Sequence, residues 1–550
     1  MPPVTTGYRP GLTSAPARLA RLARTLTPLA LLLWAAVLTA VPAGASAAVV
    51  APPAREEIRA APVPTPPTLT RVRFPDFTAD GGRLIAAATS TAFAGTQLVT
   101  FGEDGTALRC LTCAAWHGAE LLKPYPFRDG RRVLVRIGRQ TPATPAHHGV
   151  LECTPTVLSC DSATVTPISS PVTGDANVEQ DQRELRIAPD GEHVAFTQVR
   201  RTAHGRSDGV GAVGRLVRRA DRYEIQDARV VAAGGELKGF TPSGGAILFA
   251  RFSRAFDAAN PDDVIVDLRT GRQTRATTAL DWDEDIDLAP RPWAGREWMV
   301  VGSARGSKLL EAVSQVRRPA YIDAGIRALP FVVFAANGAA IAEPWLADSQ
   351  DARGGYQGQP LAPGAVAAGW DSKPTFRWRP DGTAVVFGQQ RVGAADATRV
   401  VVARLAGRRP QPPPRVRATP PPTWARALAG FVPADPDGPR ATTTRAGRVG
   451  GRVTVRRTRS SRTGYDEAIE VRYRHFADER GFVLDGVERA DYTRPGVYGG
   501  ASLYSADLRV SGGHTGYLRA RGVRIGPGLT GTIRSRVDGR RLALGPLRRR

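Results

Sequence analysis

Between about residue 70 and residue 405, apolar and polar positions alternate in short runs, and each run is broken by a turn rich in Pro, Asp and Gly. Aligned on that turn, the chain repeats one phrase: "PDFTADGGRLIAAA", "PYPFRDGRRVLVRI", "LRIAPDGEHVAFTQ", "KGFTPSGGAILFAR", "IDLAPRPWAGREWMVVGS" and "FRWRPDGTAVVFGQ". Each phrase predicts an extended segment, a tight turn and a β-branched strand, the pattern of a hairpin. The turn positions Asp80, Asp129, Asp190, Ser243, Arg291 and Asp381 are spaced by 49, 61, 53, 48 and 90 residues. Periods near 50 suit four-stranded propeller blades. The expected fold is all-β: a propeller of six blades, or of seven if the long fifth interval holds a further blade in place of an insertion from about Tyr321 to Trp370.

After Leu405 the prolines of "GRRPQPPPRVRATPPP" forbid ladder hydrogen bonds and predict a stiff linker. Beyond it "RVTVRRTR", "AIEVRYRHF", "SADLRVSG" and "YLRARGVRI" alternate cleanly with Arg outward, which predicts a C-terminal antiparallel β-sandwich. At the other end, Arg18, Arg21 and Arg24 precede an apolar run from Leu29 to Val41 and the small residues Ala45-Ser46-Ala47, the pattern of a cleaved secretory signal. The expected organisation is a signal peptide over 1–47, a disordered Pro-rich segment over 48–66, the propeller over 67–406, the linker over 407–440 and the sandwich over 441–550. The expected location is extracellular, through the general secretory route, with no membrane anchor after cleavage.

At 550 residues and 42% apolar the chain can bury a large core. Its net charge of +24 is almost all Arg spread along the chain, so nucleic acid is not the expected partner; a small molecule or glycan is, bound by a monomer. Cys110, Cys113, Cys153 and Cys160 lie in one 51-residue window, and an exported chain is expected to hold them as two disulfides, which can be paired three ways.

Just upstream of the repeated turns a carboxylate recurs, at Glu120, Glu184, Glu236, Asp285 and Asp371. In a propeller such positions surround the central opening, where carboxylates raise one another's pKa unless cations or protons intervene. Three readings follow: acids that cap loops and pair with Arg183, Arg186 or Lys238; a ring for a divalent metal; or an acid/base pair on a glycoside. No pair has loop-type metal spacing, so no metal ligand and no cofactor is assigned, although a divalent cation fits such a ring. The run Asp281-Trp282-Asp283-Glu284-Asp285-Ile286-Asp287 is the densest acidic stretch, and its Trp is a candidate sugar platform. His117, three residues before Glu120, is the one histidine near a candidate acid. The sequence lacks Gly-x-Ser-x-Gly in a strand-to-helix setting, and neither a Walker loop nor His-Glu-x-x-His is present.

In order along the chain, "RCLTC", "AELLKPYPFRDGRRVL", "RELRIAPDGEHVAF", "WDEDIDLAPRPWAGREWMVVGSARG", "EPWLADSQDARGGYQGQPL", "KPTFRWRPDGTAVVF" and, past the linker, "SSRTGYDEAIEVRYRHFADERGFVLDG" resemble fungal secreted proteins called saponin hydrolases, which look like propellers of the TolB type. The resemblance implies an extracellular glycosidase that removes a glucuronide-type sugar chain from a triterpenoid aglycone. A glucuronate carboxylate calls for an Arg fork, from Arg183, Arg186 or Arg353. An apolar aglycone calls for a shelf, from Trp282, Trp345, Tyr356 or Trp370. On the enzyme reading Glu184 and Asp285 are the expected acid/base pair, with Glu120, Glu236 and Asp371 tuning them or holding substrate. The alternative is a non-catalytic exported propeller that binds a glycan or protein through the same opening.

Overall fold

A computed structural model describes residues 51–546, except 139–146, 172–173, 204–206, 253–259, 309, 320, 323–341, 354, 435–439, 461–465, 479, 493–501 and 527. The expected signal segment 1–47 and residues 323–341 of the expected insertion from about Tyr321 to Trp370 therefore lie outside the described residues. Among those described, nearly every element is a strand, and α1 (Glu311–Ser314) is a single helical turn.

Six four-stranded antiparallel groups follow one another in a ring. Their innermost strands are Leu69–Phe77, Leu121–Pro126, Val178–Ile187, Gly235–Phe240, Asp283–Leu288 and Trp370–Trp378. Each pairs with the strand that follows its repeated turn, so the hairpins read from the sequence are the inner halves of the sheets. The turn chemistry explains the recurrence of Asp. Asp129 Oδ1 accepts from the backbone N–H of Arg131 and Arg132 at 2.8 and 3.0 Å, and Asp190 Oδ1 does the same for Glu192 and His193. The glycine that follows sits at φ +69° and +72° respectively, a left-handed geometry that disfavours any Cβ.

The middle strands are buried on both faces because each sheet packs between two others. Gln97–Phe101 and Trp298–Ser303 show no exposed position at all, so the alternation of burial fails there, and their few polar residues, Gln97, Thr100 and Ser303, are buried too. Each fully buried Phe in these layers, such as Phe249 and Phe387, contributes about 1.5–3 kcal/mol. The second and third groups are further joined edge to edge, Tyr223 pairing in parallel with Ile168.

Three expectations change. The segment 48–66 is not disordered throughout: Ile58–Pro62 forms the outer strand of the last group, Ile58 opposite Leu405 and Pro62 opposite Val401. An edge strand tolerates proline, since its outer N–H row pairs with nothing. The proline-rich segment after Leu405 is no free linker, because it lies against the turns, as described below. The C-terminal region is one eight-stranded sheet, ordered sequentially from Arg440–Ala446 to Arg540–Leu544 and nearly closed on itself, in place of two packed sheets. The strict alternation of buried and exposed residues from Ser502 to Val510 marks one apolar face, and that face can meet a second sheet or curl around a filling. Here the filling comes from the propeller. Leu310, Ala312, Val313 and Val316, between the second and third strands of the fifth group, pack with Val453, Val471, Leu508 and Ile533 of the sheet.

That junction is also polar. Arg318, fully buried, donates from Nε to Glu488 Oε2 at 2.9 Å and from Nη2 to the Tyr504 hydroxyl at 3.1 Å, while Tyr473 donates to Glu488 Oε1 at 2.8 Å. Two disulfides are present, Cys110–Cys113 and Cys153–Cys160, the second at the seam between the first two groups. They are compatible with an exported protein.

Candidate active site

Every innermost strand breaks register at one shared depth: between Arg73 and Asp76, Leu122 and Tyr125, Arg183 and Arg186, Leu237 and Gly239, Glu284 and Asp287, and Lys373 and Arg377. A bulge inserts an extra residue and re-aims its side chain. Phe74, Lys123, Glu184, Asp285 and Thr375 take positive φ there, a conformation costly for any side chain with a Cβ, and Lys238 occupies the equivalent bulge of the fourth strand. All six line one cavity of about 390 Å³.

The cavity is bipolar. Blades one, two and six supply Arg71, Arg73, Lys123 and Lys373; blades three to five supply Glu184, Glu236, Glu284 and Asp285, interleaved with Arg183, Arg186 and Lys238. Seven cations thus face four carboxylates. Of the five acids read from the sequence, Glu184, Glu236 and Asp285 line the cavity. Glu120 and Asp371 stand behind it, each holding a lining cation: Glu120 Oε1 is 3.4 Å from Arg73 Nη2, and Asp371 Oδ2 is 2.6 Å from Lys373 Nζ.

Glu184 receives Lys123 Nζ on Oε1 at 3.2 Å and Arg186 on Oε2. Burial alone would raise its pKa, but Lys123, Arg186, Lys238 and Arg183 outweigh burial and hold it well below the usual carboxylate range. Glu284 behaves oppositely. Burial pushes it up to about 7 against the attraction of Lys238, and Asp285 and Glu236 add to the push. Lys238 is itself buried, yet Asp285, Glu284, Glu236 and Glu184 raise it well above its ordinary value, so it stays charged. The local count explains Glu284: Glu236, Glu284 and Asp285 surround Lys238, among the described residues only Glu236 has a further ion pair, with Arg183 at 2.6 Å, and a proton makes up the difference.

Glu284 was hidden in the sequence by its acidic neighbours. The signal that could have found this ring is a fixed offset, since Phe74, Lys123, Glu184, Asp285 and Thr375 each lie six residues before their turn position.

The remaining candidates fall elsewhere. Arg183 and Arg186 line the cavity, but Trp282 does not: it is 3% exposed, packs on Phe252 and donates from Nε1 to Glu284 Oε2 at 3.0 Å, so it orients the acid and offers no open ring face. Arg353 is engaged by Asp348 through both carboxylate oxygens at 2.6 Å and lies over the Tyr356 ring, which leaves this pair outside the cavity lining. His117 does not line it either. Among the described residues no cluster of His, Cys, Asp and Glu has the geometry to hold a metal ion.

A ring of four-stranded antiparallel sheets around a lined axis is a β-propeller. No family model matches the sequence, and no curated protein matches it. Among solved structures the chain is similar to TolB from Acinetobacter baumannii, at 14% identity over 59% of this chain and 64% of that one, with a TM-score of 0.33. It is also similar to an oligogalacturonate lyase in complex with manganese, at 10% identity over 64% and 95% with a TM-score of 0.35, and to puromycin hydrolase, at 14% identity over 72% and 53% with a TM-score of 0.33.

Proposed function

We propose that the chain is an exported glycoside hydrolase acting on a uronide, a sugar acid joined to an apolar aglycone, of the kind its resemblance to saponin hydrolases implies. The observation that carries this reading is that one cavity holds a carboxyl poised to be protonated near neutrality, Glu284, and a carboxylate kept ionised, Glu184. Two carboxyls with separated pKa values divide acid and base roles. Glu284 gives its proton to the glycosidic oxygen as the C1–O bond breaks; water adds at C1, and Glu184 or Asp285 receives the proton that water loses. Arg71, Arg73 and Lys373, on the opposite wall, suit the uronate carboxylate.

The test is release of free sugar acid from a panel of triterpenoid glucuronides and aryl glycosides, followed by mass spectrometry, with and without a chelator. Glu284→Gln should cost about 10²–10⁴-fold in rate, and loss with Glu184→Gln or Asp285→Asn identifies the second group. If both amide variants of Glu284 and Glu184 turn over substrate normally, the assignment is lost.

A second reading, a non-catalytic binding propeller, is favoured by one contact: Lys123 and Arg186 engage both oxygens of Glu184, which weakens it as a base. Uronides that survive intact yet raise the melting temperature would select that reading.

A further inference from the structure

Beyond the axial ring, toward the hairpin turns, lies a second cavity of about 410 Å³ that shares Arg186 and Lys238 with the first. Its wall is apolar and drawn from every sheet: Phe77, Phe127, Ala188, Phe240, Leu288 and Trp378. Its roof is the proline-rich segment, through Pro413, Pro414 and Val416. Arg291 fastens that roof by donating to the carbonyls of Pro412 at 2.6 Å and Pro413 at 3.1 Å, and Arg128 donates to Pro414 O at 3.1 Å.

The floor is polar and incompletely matched. Arg186 and Arg377 lie over the Tyr125 ring, 4.6 and 4.8 Å from its centroid. Tyr125 is 8% exposed, and its hydroxyl has no hydrogen-bond partner of good geometry among the described residues. The carboxylates nearest Arg377, Asp76 and Asp287, stand 3.5 and 3.9 Å away, too far for the short bidentate contact a guanidinium makes when it is saturated. The lining holds four cations, Arg128, Arg186, Lys238 and Arg377, against two carboxylates, Asp76 and Asp287. Arg377 also donates from Nη1 to the Phe376 carbonyl at 2.9 Å, but a buried hydroxyl facing a guanidinium that holds its carboxylates only at 3.5 and 3.9 Å is an arrangement that a ligand oxyanion completes.

We propose that this chamber is a second ligand site, for a flat or fused-ring apolar molecule that ends in a carboxylate. The ring system packs among Phe77, Phe127, Phe240 and Trp378, and the carboxylate takes hydrogen bonds from Arg377 and the Tyr125 hydroxyl. The site uses neither Glu184 nor Glu284, so it stands whether or not the chain cleaves uronides.

The experiment measures fluorescence anisotropy of 1-pyrenebutyrate and of its neutral analogue 1-pyrenebutanol with the full mature chain. The carboxylate should bind at least about tenfold more tightly, the least that a charge-assisted hydrogen bond supplies. Arg377→Gln should erase that preference while pyrenebutanol binding remains, an internal control for folding. Ala79→Trp, which fills the chamber from a turn, should weaken both probes by about tenfold or more. Equal affinity for the two probes, a preference that persists in Arg377→Gln, or binding indifferent to Ala79→Trp each overturns the proposal.

Discussion

The ammonium of Lys238 stands 2.6 Å from Oε1 of Glu284, and the same nitrogen lies 3.3 Å from both Glu236 and Asp285. One buried cation thus serves three carboxylates. The arrangement decides both the charge of the cavity and the protonation of Glu284.

Removing that cation should be expensive. Lys238→Met keeps the packing of the stem but leaves the carboxylates uncompensated, and breaking a buried ion cluster from one side costs about 3–5 kcal/mol. Urea denaturation of the variant against the parent measures it, and a loss below about 1 kcal/mol would mean that the cluster sheds its charge at little cost.

Stability should fall as pH rises from about 5 to about 7.5. Burial raises Glu284, Asp76 and Asp281 each to about 7. Between their ordinary values and 7 the folded chain therefore binds protons that the unfolded chain has released, and each such group withdraws stability as the pH climbs. His148, pushed down to about 3 by burial and Arg136, acts in the opposite sense but is outnumbered, because burial also raises Asp263, Asp283 and Asp287. Glu184, held low, adds stability that is lost only on acidification below the ordinary carboxylate range. Urea midpoints across this range should decline, and Glu284→Gln should flatten the slope.

The C-terminal sheet should depend on Arg318. Arg318→Ala strands Glu488 in a dry interior and should cost about 3–5 kcal/mol. The near-ultraviolet signal of Tyr473 and Tyr504, which both bond Glu488, should change with it. An unaltered melt and spectrum would place the junction's strength in its apolar contacts alone.

The proline strap should come loose without its two arginines. In the double variant Arg128→Ala and Arg291→Ala, limited proteolysis between Gln411 and Thr419 should accelerate, because four hydrogen bonds from those side chains, three of them to strap carbonyls, are gone. Thr419, bonded to Asp190 at 2.8 Å, and Trp424, bonded to Leu268 O at 2.9 Å, should hold the downstream end. Cleavage at the parental rate would show that apolar contact suffices.

The hairpins were legible because turn chemistry is local: Asp190 and Gly191 need only their own neighbours to make the bend. The recurring acids were legible for the same reason, as a column fixed relative to the turn. Which acid faces the axis was not. In a regular strand Glu284 and Asp285 point to opposite faces, and only the bulge before Asp287 brings both into one cavity. Trp282 misled because an aromatic beside acids reads as a sugar platform, whereas its ring completes a core shared with the C-terminal sheet, some 170 residues further along the chain. Arg353 misled because its partner Asp348 lies across a turn that spacing alone does not close. The curled C-terminal sheet escaped notice because its filling is supplied by the segment around Val313, in a distant part of the sequence.

The strand Ile58–Pro62 closes the propeller against Ala394–Leu405, the last strand of the ring. During synthesis the first piece of the ring is made more than 300 residues before its ladder partner among the described residues. Until residue 405 has emerged, two strand edges stay open, one at each end of a nearly finished circle. The ring therefore completes in a single late event, and a chain halted anywhere before that point carries the exposed edges that invite pairing with a neighbour.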